Sequence, residues 1–212
     1  TVGGTDELAY EVVSLRDNQD GLERIVDSQL QYCGGLGAYG FEGRFWSTGS
    51  RFLYYTDARE GVPDGCGYWM PPLLRVDTDD WTVEELGAGP LSPDREMIAT
   101  WRGDELAIWQ TEGDRIAAVR QPVPGAIPGP IAWSPDARSI IFLLSADYCP
   151  LGETYVGRVD LVDMAPVVLL SSQAPSFADV QWDSPNRISL ADEQNNKWTY
   201  DFATGQLRRV PP

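Results

Sequence analysis

Hydrophobic positions in this chain are grouped into short runs that alternate with turns. The runs "FLYY" from Phe52 and "IIFLL" from Ile140 are apolar on both faces, which is typical of strands buried between neighbouring sheets. In "KWTYDF", by contrast, Trp198, Tyr200 and Phe202 alternate with other residues, as in a half-buried strand. No segment has convincing helical periodicity, so the pattern predicts an all-β fold.

A turn followed by an apolar run recurs at nearly constant spacing. The turns are rich in Ser, Pro, Asp, Asn or Gly, and the clearest copy is "AWSPDARSIIFLLSAD" from Ala132. The equivalent runs begin 43 to 48 residues apart, near Leu8, Arg51, Glu96, Ser139 and Arg187. Repeats of about 40–50 residues, each with several strands, are the sequence signature of β-propeller blades.

We therefore predict one β-propeller domain over residues 1–212, with five blades of four antiparallel strands. The first blade is expected to be incomplete, because only seven residues precede its apolar run at Leu8. Two alternatives stay open, a β-sandwich with irregular strands and a fragment of a ring with six or seven blades. The predicted repeats cover approximately 1–40, 41–87, 88–128, 129–176 and 177–212.

The phrase aromatic-Ser-Pro-Asp before a strand resembles the repeats of TolB-type β-propellers, which are relatives of the WD-repeat propellers. Trp133, Ser134, Pro135 and Asp136 match it in full, whereas the copy at Leu91 lacks the aromatic residue. The resemblance implies a tight turn between the innermost and second strands of a blade, with the tryptophan packed beneath it. It implies no particular activity, because propellers host enzymes, receptors and scaffolds alike.

The charge of the chain restricts its partners. Asp and Glu number 32 against 16 Lys and Arg, for a formal net charge of −16. This field repels phosphate groups, so neither a nucleic acid nor an anionic membrane surface is an expected partner. No apolar run approaches the roughly 18 residues of a membrane span. The opening "TVGGTDELAY" has no initiator Met, so we expect a processed chain or a piece of a longer one.

Candidate catalytic groups are few. The chain has no histidine, which removes the commonest general base and zinc ligand and makes a Ser-His-Asp arrangement impossible within it. Paired carboxylates are the alternative, because the predicted innermost strands contain Glu42 and Asp179. Neither "RDNQDG" at 16–21 nor "DTDD" at 77–80 matches a calcium loop well. No metal and no cofactor are predicted.

Three cysteines lie in loops that the predicted topology places on one face. Cys33 and Cys66 belong to adjacent positions there, whereas Cys149 is about two blades away. We predict a Cys33–Cys66 disulfide with Cys149 unpaired, the alternative being three free thiols. A disulfide implies an oxidising compartment, so we expect an extracellular, cell-surface or periplasmic location.

Loop lengths differ between the two faces of the predicted ring. One face has short turns, and the other has long loops at 31–40, 57–72, 121–130 and 145–154. Long loops on a rigid scaffold are common recognition sites, and aromatic side chains dominate interface energies. The candidate binding residues are Tyr39, Tyr68, Trp69, Tyr148 and Tyr155. The alternative is that these rings fold down to close the channel mouth.

The sequence thus favours a non-catalytic binding or scaffolding module whose long-loop face, centred on Tyr68 and Trp69, contacts a protein or a glycan. Two other functions stay open. One is a carbohydrate-active hydrolase that uses Glu42 and Asp179, and the other is a regulatory domain of a larger protein or assembly.

Overall fold

Strands account for all the regular secondary structure in the described part of the chain. The structure, a computed structural model, describes residues 10–16, 21–30, 41–57, 67–68 and 70–211. These residues form seventeen β-strands and no helix, so the prediction of an all-β fold is confirmed. It follows that none of the described segments is a helix of the length and hydropathy needed to cross a membrane.

The chain divides into two compact units, Thr1–Gly61 with Pro71–Glu85 and Val62–Met70 with Leu86–Pro212. The first unit contains a hairpin of β1 (Tyr10–Arg16) and β2 (Glu23–Leu30). It also contains most of a four-stranded antiparallel sheet, formed in sequence order by β3 (Phe41–Trp46), β4 (Phe52–Asp57), β5 (Leu73–Asp77) and β6 (Val83–Gly87). The predicted single domain over the whole chain stays a prediction.

The "FLYY" run forms the buried strand of the first unit. In β4, Tyr54 and Tyr55 are 0% and 1% exposed. The Tyr54 ring stacks on Phe45 with the ring centroids 4.5 Å apart. The Tyr55 hydroxyl donates a hydrogen bond to the Asp27 carboxylate at 2.9 Å, which links the sheet to the hairpin. This strand is therefore buried on both faces, as its pattern predicts.

The second unit contains three antiparallel sheets. The first has three strands, β7 (Met97–Arg102), β8 (Glu105–Gln110) and β9 (Arg115–Arg120). Single bridges join Ala88 to Trp101 and Leu91 to Ile98, at the start of the predicted repeat 88–128. Two four-stranded sheets follow, formed by β10 (Ile127–Trp133), β11 (Ser139–Ser145), β12 (Thr154–Asp160) and β13 (Val167–Ser172), and by β14 (Phe177–Ser184), β15 (Arg187–Asp192), β16 (Lys197–Asp201) and β17 (Gln206–Arg209).

Strand β11 separates two hydrophobic cores. All seven of its residues are buried. Ile140, Phe142 and Leu144 belong to one core cluster, which includes residues of β7 and β8. Ile141 and Leu143 belong to the other, which includes residues of β14 and β15. Because side chains alternate across a strand, the unbroken apolar run fills the space on both sides of its sheet.

The Ser-Pro-Asp turns are closed by the same side-chain hydrogen bonds in two repeats. The Ser134 hydroxyl donates to Asp136 at 2.7 Å and accepts from the Ser139 N–H at 2.9 Å. The Ser92 hydroxyl donates to Asp94 at 2.6 Å and accepts from the N–H five residues further on at 2.9 Å. Serine and aspartate thus satisfy each other and the backbone of the turn.

Tryptophans connect the successive sheets of the second unit. The Trp133 indole N–H donates to the Pro90 carbonyl at 3.1 Å. The Trp182 indole N–H donates to the Ala132 carbonyl, also at 3.1 Å. Both carbonyls lie two residues before the serine of a turn. The tryptophan of one repeat is therefore bonded to the preceding repeat, a role that the repeat phrase alone does not reveal.

Candidate functional site

Tyr68 is a core residue in this structure. It is 7% exposed, and its hydroxyl donates to the Phe177 carbonyl at 2.9 Å. A Cβ atom placed on Gly129 would lie 2.5 Å from its ring, so the ring fills the space that this glycine leaves. Burial, with a smaller contribution from the Glu193 charge, raises the pKa of the Tyr68 hydroxyl. Nearly all of the surface of Tyr68 is therefore covered in this structure, and its predicted contact with a partner stays a prediction.

Tyr148, in contrast, is 47% exposed on the loop between β11 and β12. The loop beneath it is anchored at several points. Leu151 is 5% exposed in a core cluster, and its N–H donates to Glu193 at 3.3 Å. The Ser176 hydroxyl bonds to the carbonyl oxygens of Leu151 and Gly152 at 3.1 and 2.9 Å. An exposed aromatic ring thus stands on a restrained loop.

Tyr155 follows this loop, near the start of β12. It is partly buried, and its hydroxyl donates to one carboxylate oxygen of Glu153 at 3.0 Å. The other oxygen of Glu153 accepts from the Ser171 hydroxyl on β13. The hydrogen bond to Glu153 raises the pKa of the Tyr155 hydroxyl. Through Glu153, Tyr155 is therefore linked to Ser171 on β13 of its own sheet. Tyr39 and Trp69, the other two predicted binding residues, lie outside the described residues.

Cys149, in the same loop, is disulfide-bonded. The prediction that it is unpaired is therefore wrong. The sequence has three cysteines, and the other two, Cys33 and Cys66, lie outside the described residues. The predicted Cys33–Cys66 bridge therefore falls outside the part of the chain that the structure describes.

The candidate catalytic acids, Glu42 and Asp179, belong to different compact units. The Glu42 carboxylate pairs with the Arg44 guanidinium at 2.8 Å. The Asp179 carboxylate accepts from the Gln181 side-chain amide at 3.1 Å. No group of three or more metal-binding side chains (His, Cys, Asp or Glu) occurs within the ranges that the structure describes. Among the described residues, Glu42 thus forms an ion pair and Asp179 a side-chain hydrogen bond.

A cleft of about 240 Å³, which the sequence does not predict, lies between the last two sheets of the second unit. It lies near Ser139 and Asp160, which are paired at one end of β11 and β12, whereas the Tyr148 loop leaves the opposite end. Its one sequence signal is Trp182, which stands before a turn as Trp133 does but is followed by Asp-Ser-Pro. The cleft is lined by Ser134, Pro135, Asp136, Ser139, Arg158, Trp182 and Pro185.

Arg158 in this cleft is held by an acid and by two aromatic rings. Its Nε and Nη2 atoms donate to Asp160 at 3.0 and 2.7 Å. Its guanidinium carbon lies 5.9 Å from the centre of the Trp182 ring and 5.3 Å from that of Phe202. Partial burial acts to raise the pKa of Asp160, but hydrogen bonds from Ser139 and Arg158 outweigh it and lower the pKa. Arg158 and Asp160 thus form a charged pair.

Comparison with known proteins shows similarity in fold alone. No protein-family model matches the chain. No curated protein matches its sequence significantly. An oligogalacturonate lyase solved in complex with manganese has a TM-score of 0.54 and 13% identity over 96% of this chain and 60% of that one. Oligogalacturonate lyase from Vibrio parahaemolyticus has a TM-score of 0.54 and 10% identity over 96% of this chain and 59% of that one. TolB from Acinetobacter baumannii has a TM-score of 0.45 and 15% identity over 95% and 48%.

These similarities establish the class of fold. The chain has a propeller fold resembling that of oligogalacturonate lyase, made of antiparallel sheets in sequence order. It spans about three-fifths of the length of the lyases that it matches. The predicted TolB-type resemblance is supported only as far as the propeller fold, because no family model matches the chain.

Proposed function

We propose that this chain is a non-catalytic binding module of the five-bladed β-propeller type. In this proposal, the loop at 145–154 contacts a protein or glycan partner outside the cytoplasm. The observation that carries the proposal is the 47% exposure of Tyr148 on a loop whose neighbouring residue Leu151 is buried. A large exposed ring on a restrained loop gives contact area at a small ordering cost.

The charge around Tyr148 suggests the character of the partner. Asp147 is exposed on the same loop, and the exposed Glu193 accepts a hydrogen bond from the Leu151 N–H of this loop. With a net charge of −16 on the whole chain, a partner with a basic surface would be attracted at long range. The loop at 145–154 is thus proposed as a site that combines an aromatic contact with acidic groups on and beside the loop.

The disulfide at Cys149 supports a location outside the cytoplasm. Disulfides persist in oxidising compartments and are rare where thiols are kept reduced. Extracellular, cell-surface and periplasmic locations all meet this condition. Because the bond lies in the proposed binding loop, it also restrains the segment that would contact the partner.

The proposal is tested by capture and affinity measurement. The immobilised chain is exposed to the extracytoplasmic protein fraction and to a glycan array, and the bound species is then measured with purified variants. We expect Tyr148→Ala to weaken binding by about tenfold or more, as is common for a central aromatic contact. Tyr148→Phe should retain most of the affinity, because the ring is kept.

A matched control is available in Trp46, which is 44% exposed in the first unit. Trp46→Ala removes an aromatic ring of similar exposure and should leave the affinity unchanged. Thermal unfolding of each variant shows whether the fold survives. If Tyr148→Ala binds as tightly as the unmodified chain, or if Trp46→Ala loses as much affinity, the loop is not the binding site.

A further inference from the structure

We propose that the cleft between the Ser134–Asp136 turn and Trp182 binds a lysine or arginine side chain of a partner polypeptide. This site is separate from the Tyr148 loop, which leaves the opposite end of β11 and β12. It does not depend on the function proposed above. Three features carry the inference: an acid that forms no ion pair with a described residue, apolar walls, and a partly accessible tryptophan ring.

Asp136 supplies the negative charge. Its Oδ1 atom accepts hydrogen bonds from the Ser134 hydroxyl at 2.7 Å and from the Arg138 backbone N–H at 3.2 Å. The Arg138 side chain acts on it through space, yet none of the ion pairs between described residues uses Asp136. Its Oδ2 atom accepts no hydrogen bond within the described ranges. Asp136 therefore presents a carboxylate oxygen at the cleft.

Arg158 does not turn the cleft into an anion site. Its guanidinium is bonded to Asp160 through two nitrogen atoms, so the two charges offset each other. Asp136 and the Arg158–Asp160 pair together carry one net negative charge, and Arg138, whose charge acts on Asp136, is not among the residues that line the cleft. The whole chain has a net charge of −16, which repels an anion further. Charge complementarity therefore selects a cation.

The walls of the cleft suit the long stem of a basic side chain. Pro135 and Pro185 line it, and Trp182 is held in place by its hydrogen bond to the Ala132 carbonyl. Lysine and arginine bury their methylene stems against apolar surface while the charged end stays polar. Cations are also attracted to the face of a tryptophan ring. A free metal cation would use none of these apolar contacts.

The preceding repeat shows which feature is particular to this cleft. Asp94 closes its turn with the same serine hydrogen bond as Asp136 does. The tryptophan that follows it in the next repeat, Trp133, is only 7% exposed, whereas Trp182 is intermediate between buried and exposed. The same turn is therefore present at both places, but Trp182 offers more accessible ring. Asp94 thus provides a matched control.

The test is a titration followed by nuclear magnetic resonance. The indole N–H signal of Trp182 is assigned by its loss in Trp182→Phe. The probes are the blocked tripeptides acetyl-Gly-Arg-Gly-amide and acetyl-Gly-Lys-Gly-amide, with central Gln and Glu versions as comparisons. We expect the two basic peptides to shift this signal saturably, with dissociation constants on the order of millimolar, as for one weak exposed ion pair with an apolar contact.

Asp136→Asn keeps the oxygen that accepts the hydrogen bonds of the turn and removes the charge. It should weaken the binding of the basic peptides by about two- to fivefold, the range that an exposed ion pair supports. Asp94→Asn should leave their affinity unchanged. The proposal is overturned if the Gln peptide shifts Trp182 as strongly as the Arg peptide, if Asp136→Asn and Asp94→Asn behave alike, or if no probe shifts the signal.

Discussion

Replacement of Tyr68 by alanine separates a structural role from a binding role. The side chain is 7% exposed, packs in the core cluster that contains Ile141 and Phe177, and donates a hydrogen bond to the Phe177 carbonyl. Tyr68→Ala removes the ring from the space beside Gly129. It also removes the hydroxyl that donates to the Phe177 carbonyl. The substitution should therefore destabilise the fold, whatever the protein binds.

The size of the effect follows from the lost contacts. Removing a buried aromatic ring costs about 3–5 kcal/mol, as the surroundings collapse only in part. For a chain of this size, each kcal/mol lowers the melting temperature by about 2–4 °C. We therefore expect a fall of roughly 6–20 °C. Tyr68→Phe keeps the ring and should lose about 1 kcal/mol with the hydrogen bond.

The assay is thermal unfolding followed by near-ultraviolet circular dichroism, with Tyr148→Ala as the control. Tyr148 is 47% exposed, so its removal should cost less than about 1 kcal/mol. A Tyr68→Ala protein that melts within about 2 °C of the unmodified chain would refute the assignment of Tyr68 to the core. It would also restore this residue as a candidate for the binding surface.

Three further predictions concern the same unit. A Cβ atom on Gly157 would lie 2.1 Å from the Phe142 ring, so Gly157→Ala should cost about 1–3 kcal/mol in urea unfolding. In the double variant, Phe142→Leu should relieve part of that cost. If the unfolding free energies of the two single variants simply add, the clash is not its cause. Trp133→Phe removes the hydrogen bond from the indole N–H to the Pro90 carbonyl and should lower the free energy of unfolding by about 1 kcal/mol or more. An unchanged free energy of unfolding would show that this bond between sheets contributes nothing. Burial opposes ionisation of Asp192, but bonds from Asn196 and Trp198 outweigh it and lower its pKa. Its contribution to stability is thus complete above its unfolded pKa of about 4 and is lost as the pH falls through the lower folded value. Melting curves from pH 6 to pH 2 should therefore show a smaller acid-induced loss in Asp192→Asn, and curves that fall in parallel would contradict this.

Strands and turns of this protein follow from local pattern. The apolar run from Ile140 predicts a strand buried on both sides, and β11 separates two cores. The Ser-Pro-Asp phrase predicts a tight turn, and Ser134 and Asp136 close it. Both succeed because the information is local: alternation along a strand sets which residues face each core, and a short polar side chain reaches the backbone within its own turn.

Only the tertiary structure decided the roles of the loop residues. Tyr68 and Tyr148 are both tyrosines in long loops, but Tyr68 is bonded to Phe177, 109 residues away, while Tyr148 is exposed. Similarly, the cleft beside Trp182 depends on which segments meet across separate repeats. Sequence spacing predicts that loops exist and how long they are. It cannot predict which ring finds a cavity, because that depends on space left by distant residues such as Gly129.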